Sequence, residues 1–589
     1  MATIEELKTM ANKLRMHSLR MTTTAGSGHP SSCLSAAEIV SVLFFAVLGK
    51  DDEFILSKGH AAPLLWAAFA EAGRVARGEL MNLRKIDSVL EGHPTARMPL
   101  VKVASGSLGQ GLNAGVGMAL AKRLAGDPGR VFVLLGDGET AEGSVWEAAD
   151  NAALHRLDNL VAVVDVNRLG QSGPTRHGHN LAAYERKFQA FGWETAAVDG
   201  HDCGELAQAL VKAGSAGMPL AVIARTFKGR GVSFLEDQEG WHGKPLNPSE
   251  LEKALEEIGP VEVSLPSRYS PTRPSFTCHE YPCNEYSRDD VVSTRAAYGQ
   301  ALLRLGRSND RVVAIDGDVK NSTMAEDFFR EFPGRSFQSN IAEQNMAGMA
   351  MGFSAMGYVP YVATFAAFLS RAHDFIRMAQ YSGANIKFVG SHAGVSIGPD
   401  GPSQMGLEDL FLAMPEAWVL YPSDAVATEK LVRATARHAG VSYLRTTRGK
   451  TPVLYGNDEE FPAGGLKVPR CSANDRALVV AAGITVHEAL KAHETLRGRG
   501  IAARIIDLYS LQPLPEAELL RHAGECGGRV VVAEDHYGGA ISGLVARIVG
   551  RVTSLCVREL PRSGKSSELL ALMKIDSTAI VQAVSELIN

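Results

Sequence analysis

Short apolar runs that stop on polar or glycine-rich turns recur along this chain. Val131–Leu135 ("VFVLL") halts on Gly136-Asp137-Gly138, and the run from Leu160 ("LVAVV") closes on Asp165, Asn167 and a glycine-bearing loop. Similar runs follow at "PLAVIART", "RVVAIDG", "VPYVATF", "IKFVGSH", "AWVLYP", "ALVVAAG", "AARIIDL" and "RVVVAED". They are continuous rather than alternating, the pattern of strands buried on both faces. Helical segments such as "TVHEALKAHETLRGRG" lie between them, and the chain opens on an amphipathic helix, "MATIEELKTMANKLRMHSLR". Strands alternating with helices predict an α/β fold with largely parallel sheets.

The alternation breaks once. "LPSRYSPTRPSFTCHEYPCNEYSRDD" is rich in proline, serine and charge, lacks periodicity and reads as a linker over the surface. The expected division is therefore a first domain over 1–265, a linker over 266–290, a second domain over 291–462 and a third over 463–589. A length of 589 residues suits three or four domains of roughly 150 residues. A net charge of −5 gives no footprint for nucleic acid or an anionic membrane. No apolar segment reaches the roughly 18 residues of a membrane span, and the first helix is not a signal peptide. The seven cysteines, odd in number and mostly isolated, fit a reducing compartment, so a cytoplasmic protein is expected. "CHEYPC" (Cys278 to Cys283) is the one stretch that suggests a structural metal, and no second ligand cluster accompanies it.

Asp137 lies at the carboxyl end of a strand, where open α/β sheets bind their ligands, and its flanking glycines allow close backbone approach. An ordinary strand-to-helix turn explains the tripeptide alone equally well. Asn167 changes that balance, because it ends the next strand. Asp137 and Asn167, with a backbone carbonyl near Leu169, offer hard oxygen ligands suited to Mg²⁺ or Ca²⁺ and not to zinc. A metal-clamped diphosphate is the expected ligand.

With these two strand ends the sequence resembles the thiamine-diphosphate enzymes, and further motifs narrow the likeness to the transketolase family. They are "AGSGHPSS" (Ala25 to Ser32), "LSKGHAAP" (Leu56 to Pro63), "GSLGQGL" (Gly106 to Leu112), "WHGKP" (Trp241 to Pro245), "IAEQNM" (Ile341 to Met346), "GPSQM" (Gly401 to Met405) and "ELPRSGK" near the end. The shorter, animal-type branch is the nearer match, since Gln404 stands where the longer microbial and plant enzymes carry histidine.

The resemblance implies three α/β domains, the first for the cofactor diphosphate and the second for its pyrimidine. It implies reversible transfer of a two-carbon ketol unit from a ketose phosphate to an aldose phosphate, through a carbanion at the thiazolium C2. The cofactor supplies the electron sink, while the protein binds it and moves protons. Glu343 matches the carboxylate beside the pyrimidine, and its apolar approach argues for burial. Phe365 and Phe368, three apart and on one face if helical, match the aromatic wall. Ser32, His60, Gly106, Leu108, Gly138, Asn167, Lys228, His242 and Gln404 match cofactor contacts. His29, His93, His242 and His392 match donors and proton shuttles around sugar hydroxyls, with His29 and His242 as catalytic candidates. Arg295, Ser322 and Arg445 match the grip on the terminal phosphate, and Asp400 a reader of a sugar hydroxyl. A homodimer with active sites between chains is implied as well. Two other readings stay open: a related ketol-transferring synthase with a different acceptor, and a catalytically silent sugar-phosphate-binding protein.

Overall fold

The computed structural model describes residues 2–214, 217–275 and 281–589. The chain forms two compact units. One holds the residues up to Ser275 together with Ala347–Gly357 and Tyr381–Gly383, and the other holds the remainder.

The first unit is built on a five-stranded sheet in the order Glu53–Leu56, Val131–Gly136, Leu160–Val166, Leu220–Arg225, Glu194–Asp199. All its pairings are parallel. The two central runs, Val131–Gly136 and Leu160–Val166, are buried along their whole length, as continuous apolar composition requires. Their register sets Gly136 beside Asp165. The opening helix, Ile4–Ala25, starts on a Thr3–Glu6 capping box and ends on Gly26 at φ 59°. Among its described residues the proline-rich stretch forms no helix or strand, but it is not free of the core. Tyr269 is buried, its ring edge-on to Phe44 at 5.3 Å. The aromatic residue inside the linker anchors it, which proline and serine content does not reveal.

The second unit carries two main sheets and an antiparallel pair of short strands, Val291–Ser293 with Lys450–Pro452. The larger runs Ser510–Gln512, Trp418–Leu420, Ser442–Arg445, Lys387–Ser391, Val359–Phe365, Val312–Asp316, Ser336–Gln338, parallel except for Ser510–Gln512. The smaller runs Lys467–Arg470, Ala503–Asp507, Ala477–Ala481, Val530–Tyr537, Thr553–Val557, with only Lys467–Arg470 antiparallel. A core joins the two: Phe365, Val395, Ile397 and Leu407 pack with Ile484, Leu569 and Leu570. The expected α/β fold with largely parallel sheets is present. Cys278 lies outside the described residues, and Cys283 is a half-buried free thiol.

Candidate active site

In the first unit the candidate residues gather where four adjacent parallel strands end. Asp137 follows Val131–Gly136, Asn167 follows Leu160–Val166, Lys58 and His60 follow Glu53–Leu56, and Lys228 follows Leu220–Arg225. Asp137 is 5% exposed. Its Oδ1 accepts from the Gly138 amide at 2.8 Å, and its Oδ2 from the Arg168 amide at 2.9 Å and the Thr175 hydroxyl at 2.8 Å. Burial pushes this carboxylate above its ordinary range, and the nearby Asp165 adds to the shift.

Asn167 is oriented from behind. Its Nδ2 donates to Asp165 Oδ2 at 3.1 Å. Asp165 is fully buried and accepts from Lys58, Ser35 and Thr226 as well. An ionised carboxylate only accepts, so Asp165 fixes which end of the amide is nitrogen, and Asn167 Oδ1 accepts from the Leu169 amide at 3.3 Å. The Leu169 carbonyl, expected as a third metal ligand, accepts from Lys228 Nζ at 2.7 Å. That ammonium also reaches His242 Nδ1 at 2.6 Å, and burial, followed by the charge of Lys58, lowers it to about 8.

Above this floor His29 is the hub of a histidine cluster. Its ring centre lies 5.3 Å from His60, 6.1 Å from His93 and 5.1 Å from His242. Burial lowers all four: His29 to about 4, His242 to about 3, with His60 and His93 also depressed. They are neutral imidazoles near pH 7, able to donate at one nitrogen and accept at the other. The Ser32 hydroxyl and His29 Nδ1 are buried without a hydrogen-bond partner among the described residues. Gly106, at φ 119°, has no room for a side chain, since a Cβ would meet the His93 ring at 2.8 Å. At Gly138 a Cβ would make ordinary contact with Thr175 at 3.5 Å, so sterics alone do not demand glycine there. Leu108 projects, 38% exposed.

In the second unit Phe365 ends its strand and Phe368 lies in the 3₁₀ turn Ala366–Ala372. The expected helical face is therefore corrected, yet the rings stack at 5.1 Å and 9°. A tight turn of three residues brings i and i+3 into line as well. His392, at φ 59°, sets its ring 4.1 Å from Phe365. Its Nε2 accepts from Arg295 Nη1 at 3.3 Å, and Arg295 also donates to the Ser322 carbonyl at 2.9 Å. His392 thus belongs to a different set from the other three loop histidines. Burial lowers it to about 3, with Arg295 and Arg448 adding to the shift. Glu343, the first residue of helix Glu343–Ala355, is 4% exposed. Its nearest cation is the exposed Arg371, at 3.8 Å.

Arg445 does not join the phosphate set. It is the last residue of strand Ser442–Arg445 and is completely buried, with Asp409 and Asp535 as its nearest carboxylates. Arg448, three residues on, has cleared the strand and is partly exposed instead. Arg448 Nη1 reaches Asp400 at 2.9 Å and the Ile397 carbonyl at 2.8 Å, with its side chain 39% exposed. Burial and the charge of Arg448 lower the Arg295 guanidinium, so two cations face one region. Glu139 was also not singled out from sequence. Buried, it accepts from the Gly109 amide at 2.8 Å, the Gly136 amide at 3.0 Å and the Ser57 hydroxyl, tying three site loops together. Its signal is a glutamate two residues past the strand-end aspartate. Gln404 lies half-buried in the short 3₁₀ turn Pro402–Gln404. Among the described residues no three His, Cys, Asp or Glu side chains form a metal cluster, so the oxygen set of Asp137 and Asn167 is the metal candidate.

Comparison with known proteins gives one family throughout. The family models described as transketolase thiamine diphosphate binding domain, pyrimidine binding domain and C-terminal domain match residues 6–264, 290–453 and 466–580. The human protein named transketolase is 46% identical over 100% of this chain and 98% of its own. The mouse protein named transketolase-like protein 2 is 47% identical over 99% of this chain and 97% of its own. Among solved structures, transketolase from Campylobacter jejuni superposes with a TM-score of 0.88 at 24% identity, covering 99% of this chain and 100% of that one.

Proposed function

Because the chain belongs to the transketolase family, we propose that it moves a two-carbon ketol unit from a ketose phosphate to an aldose phosphate, using thiamine diphosphate. Xylulose 5-phosphate is a suitable donor, and ribose 5-phosphate or erythrose 4-phosphate a suitable acceptor. The observation that carries the sugar-phosphate part is the pairing of Arg295 with Arg448. The two guanidiniums lie close enough for Arg448 to lower Arg295, and the single carboxylate of Asp400 paired with Arg448 leaves positive charge for an anion. Ser322 and His392 border the same place.

The cofactor and metal fit the residues present. Asp137 is a carboxylate that burial and the nearby Asp165 hold above its ordinary range, and Asn167 follows the adjacent strand with its amide nitrogen turned to Asp165. Their side chains offer hard oxygen donors that would suit Mg²⁺ or Ca²⁺ bound together with a diphosphate. The buried Ser32 hydroxyl and Lys228 are donors for phosphate oxygens. When bound, thiamine diphosphate supplies the carbanion and the electron sink. The protein does the rest. Glu343 shares a proton with the pyrimidine edge, and Phe365 and Phe368 form a flat apolar wall for its ring. His29 and His242, neutral and mutually close, pass protons to and from sugar hydroxyls. The chain is further proposed to act as a homodimer, with the diphosphate half of each site from one protomer and the pyrimidine half from its partner. Three domains, 1–265, 291–462 and 463–589, remain the proposed division.

A coupled assay with xylulose 5-phosphate and ribose 5-phosphate tests the reading. Turnover that requires both thiamine diphosphate and a divalent cation is expected. Cofactor binding without turnover of any ketose phosphate overturns it.

A further inference from the structure

Arg445, set aside as a phosphate ligand, belongs to a buried charged cluster that no part of the proposed chemistry uses. Arg445, Asp535, His536 and Tyr421 are each completely buried, and the Asp409 side chain is 1% exposed. Arg445 Nη1 lies 3.6 Å from Asp409 Oδ2, and Nη2 lies 3.9 Å from Asp535 Oδ1. The guanidinium stands 4.7 Å from the centre of the Tyr421 ring, whose hydroxyl donates to Asp535 Oδ2 at 2.9 Å. His536 sits between the carboxylates, Nε2 at 3.7 Å from Asp409 and Nδ1 at 3.6 Å from Asp535. Both its nitrogens, and Arg445 Nε and Nη1, have no hydrogen-bond partner among the described residues. Burying ions at these looser separations costs several kcal/mol per ion, and replacing such a set by well-packed apolar residues is often neutral or stabilising. Stability alone does not explain the cluster.

Its surroundings indicate what it holds. Arg445 Nη2 donates to the Gly406 carbonyl at 3.3 Å, and the Gly394 amide donates to the same oxygen at 2.9 Å. Gly394 is left-handed, φ 63°, and a Cβ there would lie 1.8 Å from Asp535 Oδ2. The Tyr537 amide donates to the Leu407 carbonyl at 3.1 Å, and Ala393 to the Thr446 carbonyl at 3.1 Å. Both stems of the loop 394–406 therefore close over the Arg445–Asp535 pair. The loop follows His392 and carries Asp400 and Gln404 at its tip. From below, Val395, Ile397, Met405 and Leu407 rest on Ile484, Leu569 and Leu570. Asp535 comes from strand Val530–Tyr537 of the smaller sheet, Arg445 from the larger one.

We propose that Arg445 is a positioning residue: clamped to Asp535, it fixes the stems of the 394–406 loop. It thereby sets where Asp400, paired with Arg448, meets the sugar. The C-terminal sheet then contributes to substrate recognition without touching substrate. The kinetic consequence rests on the ketol-transfer reading, whereas the clamp itself does not.

Asp535→Asn keeps size and shape while removing one of the two charges that Arg445 faces, and Arg445→Met removes the guanidinium. Hydrogen–deuterium exchange of the cofactor-loaded protein reads the clamp. In Asp535→Asn, amides of 394–406 are expected to exchange about tenfold faster while helix Ala425–Arg437 keeps its protection. Steady-state kinetics reads the consequence. Both variants should raise KM about tenfold for xylulose 5-phosphate and equally for unphosphorylated xylulose, with kcat at saturating donor little changed. Arg448→Met should penalise only the phosphorylated donor. Unchanged exchange in 394–406 overturns the clamp, and it decides the matter even if Arg445→Met fails to fold or no sugar is turned over. A loss confined to phosphorylated donors would make Arg445 a direct phosphate ligand. A fall in kcat and Tm at constant KM would reduce it to a structural ion. Absence of turnover in the wild type, with faster exchange in Asp535→Asn, would instead sink the ketol-transfer reading and leave the clamp standing.

Discussion

Lys228 is buried between the Leu169 carbonyl and His242, and its ammonium titrates at about 8, well below the roughly 10.4 of a free lysine. Between those values the unfolded chain binds more protons than the folded one, so this group makes the cofactor-free protein gain stability as pH rises from about 8 to 10.4. Cofactor binding has the opposite sign. A diphosphate selects the protonated ammonium, so above pH 8 binding must take up a proton. Affinity for thiamine diphosphate should fall by up to about tenfold per pH unit there, and Lys228→Gln should bind weakly with little pH dependence. Calorimetric titration from pH 7 to 9.5, in buffers of different ionisation enthalpy, measures the proton uptake directly; none in the wild type would remove Lys228 from the diphosphate. Asp165 gives a second expectation. Asp165→Asn frees the Asn167 amide to turn, so metal-dependent cofactor affinity should fall about 10–100-fold. It also strands the buried Lys58, at a cost of about 3–5 kcal/mol. Adding Lys58→Met should recover Tm but not affinity, and recovery of both would make the carboxylate a packing element only. Asp137 and Asn167 were legible in the sequence because each directly follows an unmistakable apolar run. Arg445 and Arg448 were not separable that way. Two arginines three apart follow "SYL", and only the strand's actual end decides which is inside the sheet and which has cleared it. Glu139 was hard to read because two of its three partners, the Gly109 amide and the Ser57 hydroxyl, lie on loops far away in sequence.

Helix contacts set the next scale. Helices Gly111–Leu124 and Glu343–Ala355 approach so closely that a Cβ on Gly352 would lie 2.1 Å from the Ala114 carbonyl and 2.6 Å from the Met118 amide. Gly117 is its counterpart, 1.9 Å from the Met349 carbonyl. Because the obstacle is backbone on both sides, no rotamer change relieves it. Gly352→Ala should destabilise the protein by at least the roughly 1–3 kcal/mol of an overpacked core, despite alanine's better helix propensity. Gly498→Ala, in helix Ile484–Gly498 with open space around it, is the control and should be neutral or slightly stabilising. Thermal unfolding of the pair decides it; equal Tm values would mean the helices can part without cost. The long buried strands were readable because burial on both faces leaves no polar position in the run. The short antiparallel strands Val291–Ser293, Lys450–Pro452 and Ser510–Gln512 were not. Three residues carry no period, and their pairing is set by neighbours far along the chain. The turn Ala366–Ala372 misled in another way, since apolar residues three apart fit a 3₁₀ turn after a strand as well as an α-helix.

At the scale of the whole molecule, the candidate residues fall into two sets that the fold builds separately. Asp137, Asn167, Lys228 and the histidine hub stand at the strand ends of the first unit, while Glu343, the Phe365–Phe368 stack and the arginine pair belong to the second. Neither set alone can bind a diphosphate and also move a proton at a pyrimidine. If the proposed homodimer is correct, each active site takes the first set from one protomer and the second from its partner. Asp137 and Glu343 of one polypeptide then serve different sites. Asp137→Ala should abolish activity by losing the metal and diphosphate, and Glu343→Ala should bind cofactor yet fail at proton transfer. Mixed after dissociation and reassociation, the two inactive variants form a heterodimer with one doubly damaged site and one intact site. Random twofold pairing makes about half of the dimers mixed, so about a quarter of wild-type activity should return. Light scattering and a mass-tagged protomer verify that exchange has taken place. If both residues served the same site from one chain, every site in every pairing would keep a lesion. Verified reassociation with no recovered activity would therefore exclude the shared site.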